Sequence, residues 1–272
     1  MRPRGNIHVG IGGWSYEPWR ETFYPPEVAK SRELEYASRQ VSAIEINSTF
    51  YRLQKPATYA KWRDSTPDEF VFTVKAPRFI VQRRSLADAG ASIERFVGSG
   101  IASLERKLGA VLWQLDPTHA FDPDDLEAFL QLLPPMAGRW PLRHALEVRH
   151  ASFVAKEFIA LIRRHAVAVV CVDDAEFPAC ADITAEFVYV RLRRCAHTVS
   201  TGYAAPALRT WADYARRWAR GEVVSELPRA AAESPVRHTP REVFIYFING
   251  AKERAPAAAR ALLAALKRKS GG

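Results

Sequence analysis

The chain has 272 residues, of which 48% are apolar and 25% are charged. These proportions exclude a disordered chain, and no apolar run approaches the ~20 residues needed to cross a bilayer. The formal net charge of +9 leaves nucleic acid open as a partner, but the basic residues are scattered along the chain in short pairs.

Eight short apolar runs recur along the chain, and several consist almost entirely of Val, Ile and Leu, as in strands buried on both faces. They predict strands at 7–11, 41–46, 70–74, 110–115, 145–148, 167–172, 187–192 and 243–248. Apolar residues at helical spacing predict helices between them, at 26–39, 57–64, 92–108, 123–133, 153–165, 205–219 and 256–266. Little room for a full helix is left between the sixth and seventh strands.

Strands that alternate with helices over about 250 residues indicate a single (β/α)8 TIM-type barrel, with parallel strands and outer helices. We expect some irregularity around strands six to eight. We expect one domain over residues 1–272, with a core at about 7–266 and a surface excursion at 221–241. A doubly wound sheet is the rival, but the chain lacks the G-x-G-x-x-G motif of its dinucleotide-binding form.

Polar side chains stand at almost every predicted strand end, where barrels of this type bind their ligands. They are Trp14 after the first strand, Glu45, Asn47 and Tyr51 at the second, Lys75 at the third, Gln114 at the fourth, Glu147 and Arg149 at the fifth, Asp173 at the sixth, Arg191 on the seventh and Asn249 after the eighth. Because side chains alternate along a strand, we expect several of them to face one cavity. A layer of ion pairs that only caps the core is the alternative.

Four segments resemble a known family. They are 10–16 (Gly-x-Gly-Gly-Trp-Ser-Tyr), 45–51 (Glu-x-Asn-x-Thr-Phe-Tyr), 72–77 (Phe-Thr-Val-Lys-Ala-Pro) and 147–153 (Glu-Val-Arg-His-Ala-Ser-Phe). In this order they are similar to the YecE-like proteins, also called domain of unknown function 72. The resemblance covers nearly the whole chain. It implies a TIM-barrel fold without an established reaction, and it marks all the strand-end positions above except Asn249 as pocket positions.

Two stretches depart from the pattern of that family. Its members usually read Tyr-x-Arg-x-His-Gly at the seventh strand, whereas this chain keeps Tyr189 and Arg191 and lacks the His-Gly pair. After the eighth strand the family has Phe-x-Asn-Asn, and here Gly250 follows Asn249. Chemistry that needs the family's histidine is therefore not expected in this chain.

The strand-end residue types favour a small-molecule enzyme of hydrolase, lyase or isomerase type. Glu45, Lys75 and Glu147 are the candidate catalytic groups, because two carboxylates in different environments can divide acid and base roles. Lys75 could act as a base, as a Schiff-base nucleophile or as an ion-pair partner of a glutamate. The other strand-end positions would bind the substrate. Guanidinium groups such as Arg149 and Arg191 suit a carboxylate or phosphate, although a sugar-like ligand also fits.

Two other functions stay open. One is a nucleic-acid-binding or phosphodiester-processing module, whose best basic patch is Arg191, Arg193 and Arg194 beside His197 and Tyr203. The other is a barrel that binds a ligand without chemistry. We expect no cofactor and no membrane partner. A divalent metal on Glu45, Glu147 and Asp173 is the weaker option, because barrels of that kind usually add histidines. Three cysteines and an N-terminus without a long apolar stretch predict a reducing, cytoplasmic location.

Overall fold

Eight parallel strands close into a barrel. The structure is a computed structural model that describes residues 5–231 and 239–268. The strands are β1 (Ile7–Gly12), β2 (Ala43–Ile46), β3 (Val71–Lys75), β4 (Leu108–Gln114), β5 (His144–Glu147), β6 (Ala168–Asp173), β7 (Phe187–Leu192) and β8 (Glu242–Phe247). Each strand pairs with its neighbours in chain order, and β8 pairs with β1 to close the barrel. The predicted barrel is confirmed, with every strand within two residues of its predicted bounds.

Helices surround the barrel in the order that the sequence predicts. They are α1 (Glu33–Gln40), α2 (Pro56–Asp64), α3 (Arg78–Val81), α4 (Gly90–Gly98), α5 (Pro123–Gln131), α6 (Lys156–Arg164), α7 (Ala205–Ala219) and α8 (Ala255–Lys267). The carboxylate of Asp122 caps α5 by accepting from the backbone N–H groups of Asp124 and Asp125. Residues 174–186, between β6 and β7, contain no helix, as expected from the short gap.

Two predicted helices differ from those observed. The first begins later, as a 3-10 turn at Lys30–Arg32 that leads into α1. The predicted helix at 92–108 breaks after α4 and resumes as a 3-10 segment, Ile101–Lys107. Gly100, at the break, has a φ of 125°, and a Cβ there would lie 2.7 Å from the Pro56 Cα. The close approach to α2 therefore requires a glycine, which ends the helix.

Side chains of each strand alternate between the inside of the barrel and the layer beneath the helices. The inside holds a small apolar cluster that includes Ala43, Val71, Leu112, Val170 and Phe244. The alternate positions pack against the helices in a larger cluster. Burial on both faces explains why the strands are continuous apolar runs.

A buried charged cluster lies at the amino-terminal end of the barrel interior. The Glu242 carboxylate lies 2.7 Å from His8 Nε2 and accepts a hydrogen bond of 2.5 Å from Arg143 Nη1. The Arg143 guanidinium also stacks on the rings of Phe187 and Phe244. Burial alone would raise the pKa of Glu242, but the His8 hydrogen bond and the Arg143 charge outweigh it and lower the pKa to about 2.

Replacing Glu242 with glutamine should therefore cost about 1.5–3 kcal/mol of unfolding free energy at pH 7, because Arg143 and His8 lose their charged acceptor. A carboxylate with a depressed folded-state pKa stabilises the protein above its ordinary pKa near 4.5, and this stabilisation is lost as the pH falls towards 2. Urea unfolding followed from pH 7 to pH 3 should thus show a flatter pH dependence in Glu242→Gln. The exposed Glu186→Gln is the control, and equal slopes for variant and parent would contradict the prediction.

The predicted surface excursion at 221–241 packs against the rest of the protein where the structure describes it. Val224 is fully buried, and the backbone N–H groups of Ala230 and Ala231 donate to the Asp182 carboxylate. Residues 232–238 of that excursion, like 1–4 and 269–272, lie outside the described residues. Across 5–231 and 239–268, no helix has both the length and the apolar character that spanning a membrane requires.

Candidate functional site

Two glutamates and one arginine form a buried network at the carboxyl-terminal end of the barrel interior, which we call the mouth. Arg191 on β7 binds Glu45 on β2 with two hydrogen bonds, 3.1 Å from Nε to Oε2 and 3.0 Å from Nη2 to Oε1. Its Nη1 donates to Oε2 of Glu147 on β5. All three side chains are buried. These three residues, the mouth network, are brought together as the alternation along the strands predicts.

Neighbouring side chains satisfy the remaining acceptors of the two carboxylates. The Glu147 Oε1 atom accepts from Gln114 Nε2 at 2.8 Å and from Arg149 Nε at 2.9 Å. The Glu45 Oε2 atom accepts from the Tyr189 hydroxyl at 2.8 Å. Because Tyr189 gives its one proton to Glu45, the Thr73 hydroxyl at 2.9 Å donates to Tyr189.

Sequence reasoning left Thr73 and Tyr189 out of the site. Thr73 belongs to one of the four segments that carry the family resemblance, and Tyr189 is a residue of the family pattern that this chain keeps at the seventh strand. Both side chains face the barrel interior, two residues before a charged residue: Thr73 comes before Lys75, and Tyr189 before Arg191. Alternation alone was therefore a signal that could have found them.

The electrostatics of the mouth network keep Glu147 ionised. Burial raises its pKa, but the charges and hydrogen bonds of Arg191 and Arg149 outweigh burial and lower it to about 2. Both carboxylates are held by the same Arg191 guanidinium. Within the described residues, no group of three or more His, Cys, Asp or Glu side chains is placed to hold a metal ion.

Lys75, the last residue of β3, faces the mouth. Its Nζ lies 3.8 Å from the centroid of the Phe50 ring. Among the residues that the structure describes, none accepts a hydrogen bond from this Nζ, and no carboxylate oxygen lies within 4.0 Å of it. The ion pair with Glu45 or Glu147, one of the roles left open by the sequence, is therefore not formed. Burial, followed by the Arg191 charge, lowers the pKa of Lys75 to about 8 despite the two glutamates.

Lys107 is a second lysine with a buried ammonium group, and its hydrogen bonds provide a comparison for Lys75. It is buried, and its Nζ donates to the carbonyl oxygens of Arg63 and Thr66, at 2.6 and 2.7 Å, and to the Thr66 hydroxyl at 3.1 Å. All three protons of the ammonium are used, as burial of a charged donor requires. The unused donors of Lys75 are therefore unlike those of a lysine with a purely structural role.

Two further guanidinium groups lie above the mouth network and share one aromatic ring. The Phe177 ring, from the 174–186 loop, has its centroid 4.6 Å from the Arg149 guanidinium carbon and 4.9 Å from that of Arg193. Arg149 uses only Nε in a hydrogen bond with the described residues, so both of its Nη groups have donors to spare. Arg193 pairs with Asp174 at 3.1 Å. The Asn249 side-chain amide is oriented so that its nitrogen donates to the carbonyl oxygen of Ile248 and its oxygen accepts from Arg193 Nη2 at 2.9 Å.

Three predicted site residues lie apart from the mouth network. The Trp14 ring packs edge-on against Trp62 of α2, with centroids 5.1 Å apart. Tyr51 is 70% exposed and has an edge-on contact with Phe50. Asp173 alternates with the interior residue Val172 and accepts a hydrogen bond of 2.8 Å from the Tyr203 hydroxyl. The structure therefore gives none of the three a contact with the mouth network.

Two other predicted residues lie at the rim. Asn47 is half-buried beside Gly12, where a Cβ would come within 2.8 Å of its Nδ2. Asn249 is exposed and holds Arg193, as described above. Of the predicted set, the structure thus brings Glu45, Gln114, Glu147, Arg149 and Arg191 into direct contact, with Lys75 facing them.

Curated bacterial proteins are similar to part of this chain. UPF0759 protein YecE of Escherichia coli strain K12 is 29% identical over 150 residues, which cover 55% of this chain and 51% of that protein. UPF0759 protein YunF of Bacillus subtilis strain 168 is 27% identical over 157 residues, which cover 56% and 54%. The chain thus spans about half the length of the curated relatives it matches.

Solved structures resemble nearly the whole chain. A DUF72 family protein from Thermotoga maritima MSB8 matches with a TM-score of 0.72 at 20% identity, covering 97% of this chain and all of that one. A DUF72 family protein from Enterococcus faecalis V583 matches with a TM-score of 0.67 at 16% identity, covering 99% of this chain and all of that one. At such identities the likeness supports the fold alone.

The family model described as "Protein of unknown function DUF72" matches residues 8–271. Because this match covers almost all of the sequence, it confirms the family that the four motif segments predict. This chain belongs to the DUF72 family of proteins of unknown function.

Proposed function

We propose that this chain is a small-molecule lyase or isomerase that works at the barrel mouth. In this proposal Lys75 is the reacting group, and Arg149 binds an anionic part of the substrate. The observation that carries it is the Lys75 amine, which faces the mouth and donates no hydrogen bond to any residue that the structure describes. A lysine at such a place, with its pKa lowered to about 8, suits proton transfer or nucleophilic attack near neutral pH.

The mouth network supports a lyase or isomerase over a two-carboxylate hydrolase. Glu147 is held ionised by Arg191 and Arg149, so it is a poor proton donor at neutral pH. The role we assign to the network is to hold fixed charges beneath the substrate, which leaves the proton transfers to Lys75.

Arg149 is the best-placed anchor for an anion. Its Nε is fixed by Glu147, which orients the guanidinium, while neither Nη group donates to a residue that the structure describes. Two parallel donors of this kind match the oxygens of a carboxylate or phosphate. Arg191, by contrast, spends its donors on Glu45 and Glu147, so we do not assign it to the substrate.

Replacing Arg149 with alanine should weaken binding of small anions by about 10- to 150-fold, which corresponds to about 1.5–3 kcal/mol for hydrogen bonds to a charged group. Titration calorimetry with a panel of small carboxylates, phosphates and neutral sugars measures this, with the exposed Arg260→Ala as the matched control. Compounds that bind would then be followed by NMR for turnover, which Lys75→Met should abolish while affinity is kept.

Three outcomes would contradict the proposal. Binding of neutral sugars alone, unchanged in Arg149→Ala, would remove the anion anchor. Salt-dependent binding of a single-stranded oligonucleotide in place of small anions would favour a nucleic-acid-binding module. Anion binding without turnover of any bound compound would favour a barrel that binds a ligand without chemistry.

We also place this activity in a reducing cytoplasm. The support is that Cys171, Cys180 and Cys195 are all buried free thiols.

A further inference from the structure

We infer that Lys75 forms a covalent imine with an aldehyde or ketone that carries a carboxylate or phosphate group. This inference rests on the proposed function and deepens it, because it names both the bond and the class of substrate.

The charges around Lys75 balance without it. Glu45 and Glu147 carry two negative charges, and Arg149 and Arg191 carry two positive ones, all joined by hydrogen bonds. A protonated Lys75 adds a positive charge, and no carboxylate of residues 5–231 and 239–268 lies within 4.0 Å to neutralise it. The half-buried site therefore favours the neutral amine, which is the nucleophilic form.

The titration of Lys75 agrees with this geometry. With its pKa lowered to about 8, about a tenth of the side chain is neutral at pH 7. An ordinary lysine with a pKa near 10.4 is neutral in fewer than about one molecule in a thousand at that pH. The groups that face Lys75 are Glu45, Glu147, Arg149 and Arg191, with the Phe50 ring on one side.

A low pKa alone does not make a lysine reactive, as Lys107 illustrates. Burial also lowers the pKa of Lys107, but all of its N–H groups are bound to Arg63 and Thr66. Attack by Lys107 would require breaking those bonds. Lys75 donates no such bond to the described part of the chain, so attack by its amine on a carbonyl carbon breaks none of these contacts.

The covalent step balances without any further reagent. Neutral Nζ attacks the carbonyl carbon, and a C–N bond forms as the C=O π bond breaks. The oxygen takes up a proton and Nζ gives one up, which yields a carbinolamine. The C–O bond then breaks, and the oxygen leaves as water with the two protons that Nζ has given up. The product is an imine, which takes one proton from solvent to become an iminium ion.

An anionic substrate restores charge balance in this product. The iminium ion carries one positive charge, and a carboxylate on the same molecule, held by the Arg149 Nη groups, carries one negative charge. The site is thus as nearly neutral after imine formation as before it. A neutral aldehyde would leave the iminium charge uncompensated, so we expect it to react less well.

Reductive trapping tests the inference directly. The full chain is incubated with glyoxylate at pH 7, reduced with sodium borohydride, digested and mapped by mass spectrometry. We expect one carboxymethyl group on Lys75, at a yield roughly tenfold or more above that of any other lysine, because of its larger neutral fraction. Lys107 should stay unmodified. Propanal serves as the neutral carbonyl, and only the glyoxylate reaction should slow in Arg149→Ala.

Labelling spread evenly over exposed lysines, or labelling of Lys107 equal to that of Lys75, would overturn the inference. Lys75→Met and Lys75→Arg should both lose the single preferred label while the labelling of the other lysines stays unchanged, and circular dichroism of both variants checks that the fold is kept. If trapping fails while anions still bind through Arg149 and are turned over, imine formation is wrong and the proposed function stands. If neither anion binding nor trapping occurs, both are wrong.

Discussion

Replacing Arg191 with methionine should destabilise the protein by about 3–5 kcal/mol at pH 7, the cost of breaking a buried ion pair from one side. Arg191 is the cation that joins Glu45 and Glu147, and both carboxylates are fully buried. Without it, two negative charges face each other across the mouth, with Arg149 left to neutralise only Glu147. Urea unfolding followed by circular dichroism measures the loss, with Arg260→Met as the control.

The deficit of Arg191→Met should shrink as the pH falls from 7 to 5. Unpaired buried carboxylates have raised pKa values, so the folded variant takes up protons before the unfolded chain does and gains stability relative to pH 7. In the parent, the pKa of Glu147 is lowered to about 2, so its contribution is complete above its ordinary pKa near 4.5 and is lost only as the pH falls towards 2. Adding Glu147→Gln to the variant should recover part of the loss. A deficit below about 1 kcal/mol, with the parent's pH dependence, would contradict the assigned role.

Replacing Lys75 with methionine should stabilise the protein by about 1–3 kcal/mol at pH 7. The reason is that the folded state lowers the pKa of Lys75 from 10.5 to about 8, so below pH 8 it holds a proton that the site disfavours. Methionine keeps the contact with Phe50 and removes the charge. Most substitutions of a charged residue in such a mouth should lower the free energy of unfolding. An increase in Lys75→Met would therefore show that the site disfavours the charge of Lys75.

The pH dependence gives a second test. Between pH 8 and 10.5 the unfolded chain binds more protons at Lys75 than the folded chain does, so this residue makes parental stability rise with pH in that window. The rise should be absent or smaller in Lys75→Met. Lys107→Met is the contrasting variant and should lose at least about 2 kcal/mol, because its hydrogen bonds to Arg63 and Thr66 disappear. Destabilisation by Lys75→Met would mean that the lysine has a structural partner after all.

The barrel was predictable because its strands are buried on both faces and its helices on one, which gives the two patterns different periods. The same alternation predicts that Glu45, Glu147 and Arg191 share the interior. It also explains the position of Asp173: of the two aspartates that follow Val172, the second is the one with interior parity, and Asp174 is the residue that pairs with Arg193. A strand end that is predicted only to within one residue cannot decide which of Asp173 and Asp174 faces the interior.

Partner choice among charges was not predictable from the sequence. Glu45 and Glu147 could have paired with Lys75 or with Arg191, and spacing along the chain is equally compatible with both. The guanidinium prevails because its planar donors reach both carboxylates at once, which a single ammonium does less well. The helix break at Gly100 was also not predictable from the sequence, because it depends on the close approach of Pro56 from another helix.

The mouth network also constrains the order in which the barrel can assemble. Arg191 lies 146 residues from Glu45 along the chain and 44 residues from Glu147. A chain still emerging from the ribosome that ends before β7 holds both carboxylates but not the cation that joins them. A partial barrel of β1 to β6 pairs Glu147 with Arg149 but lacks the cation that binds Glu45, so Glu45 gains its partner only when β7 docks. Contacts of such long sequence separation form late and slow folding, so we expect the mouth network to be among the last parts of the barrel to form.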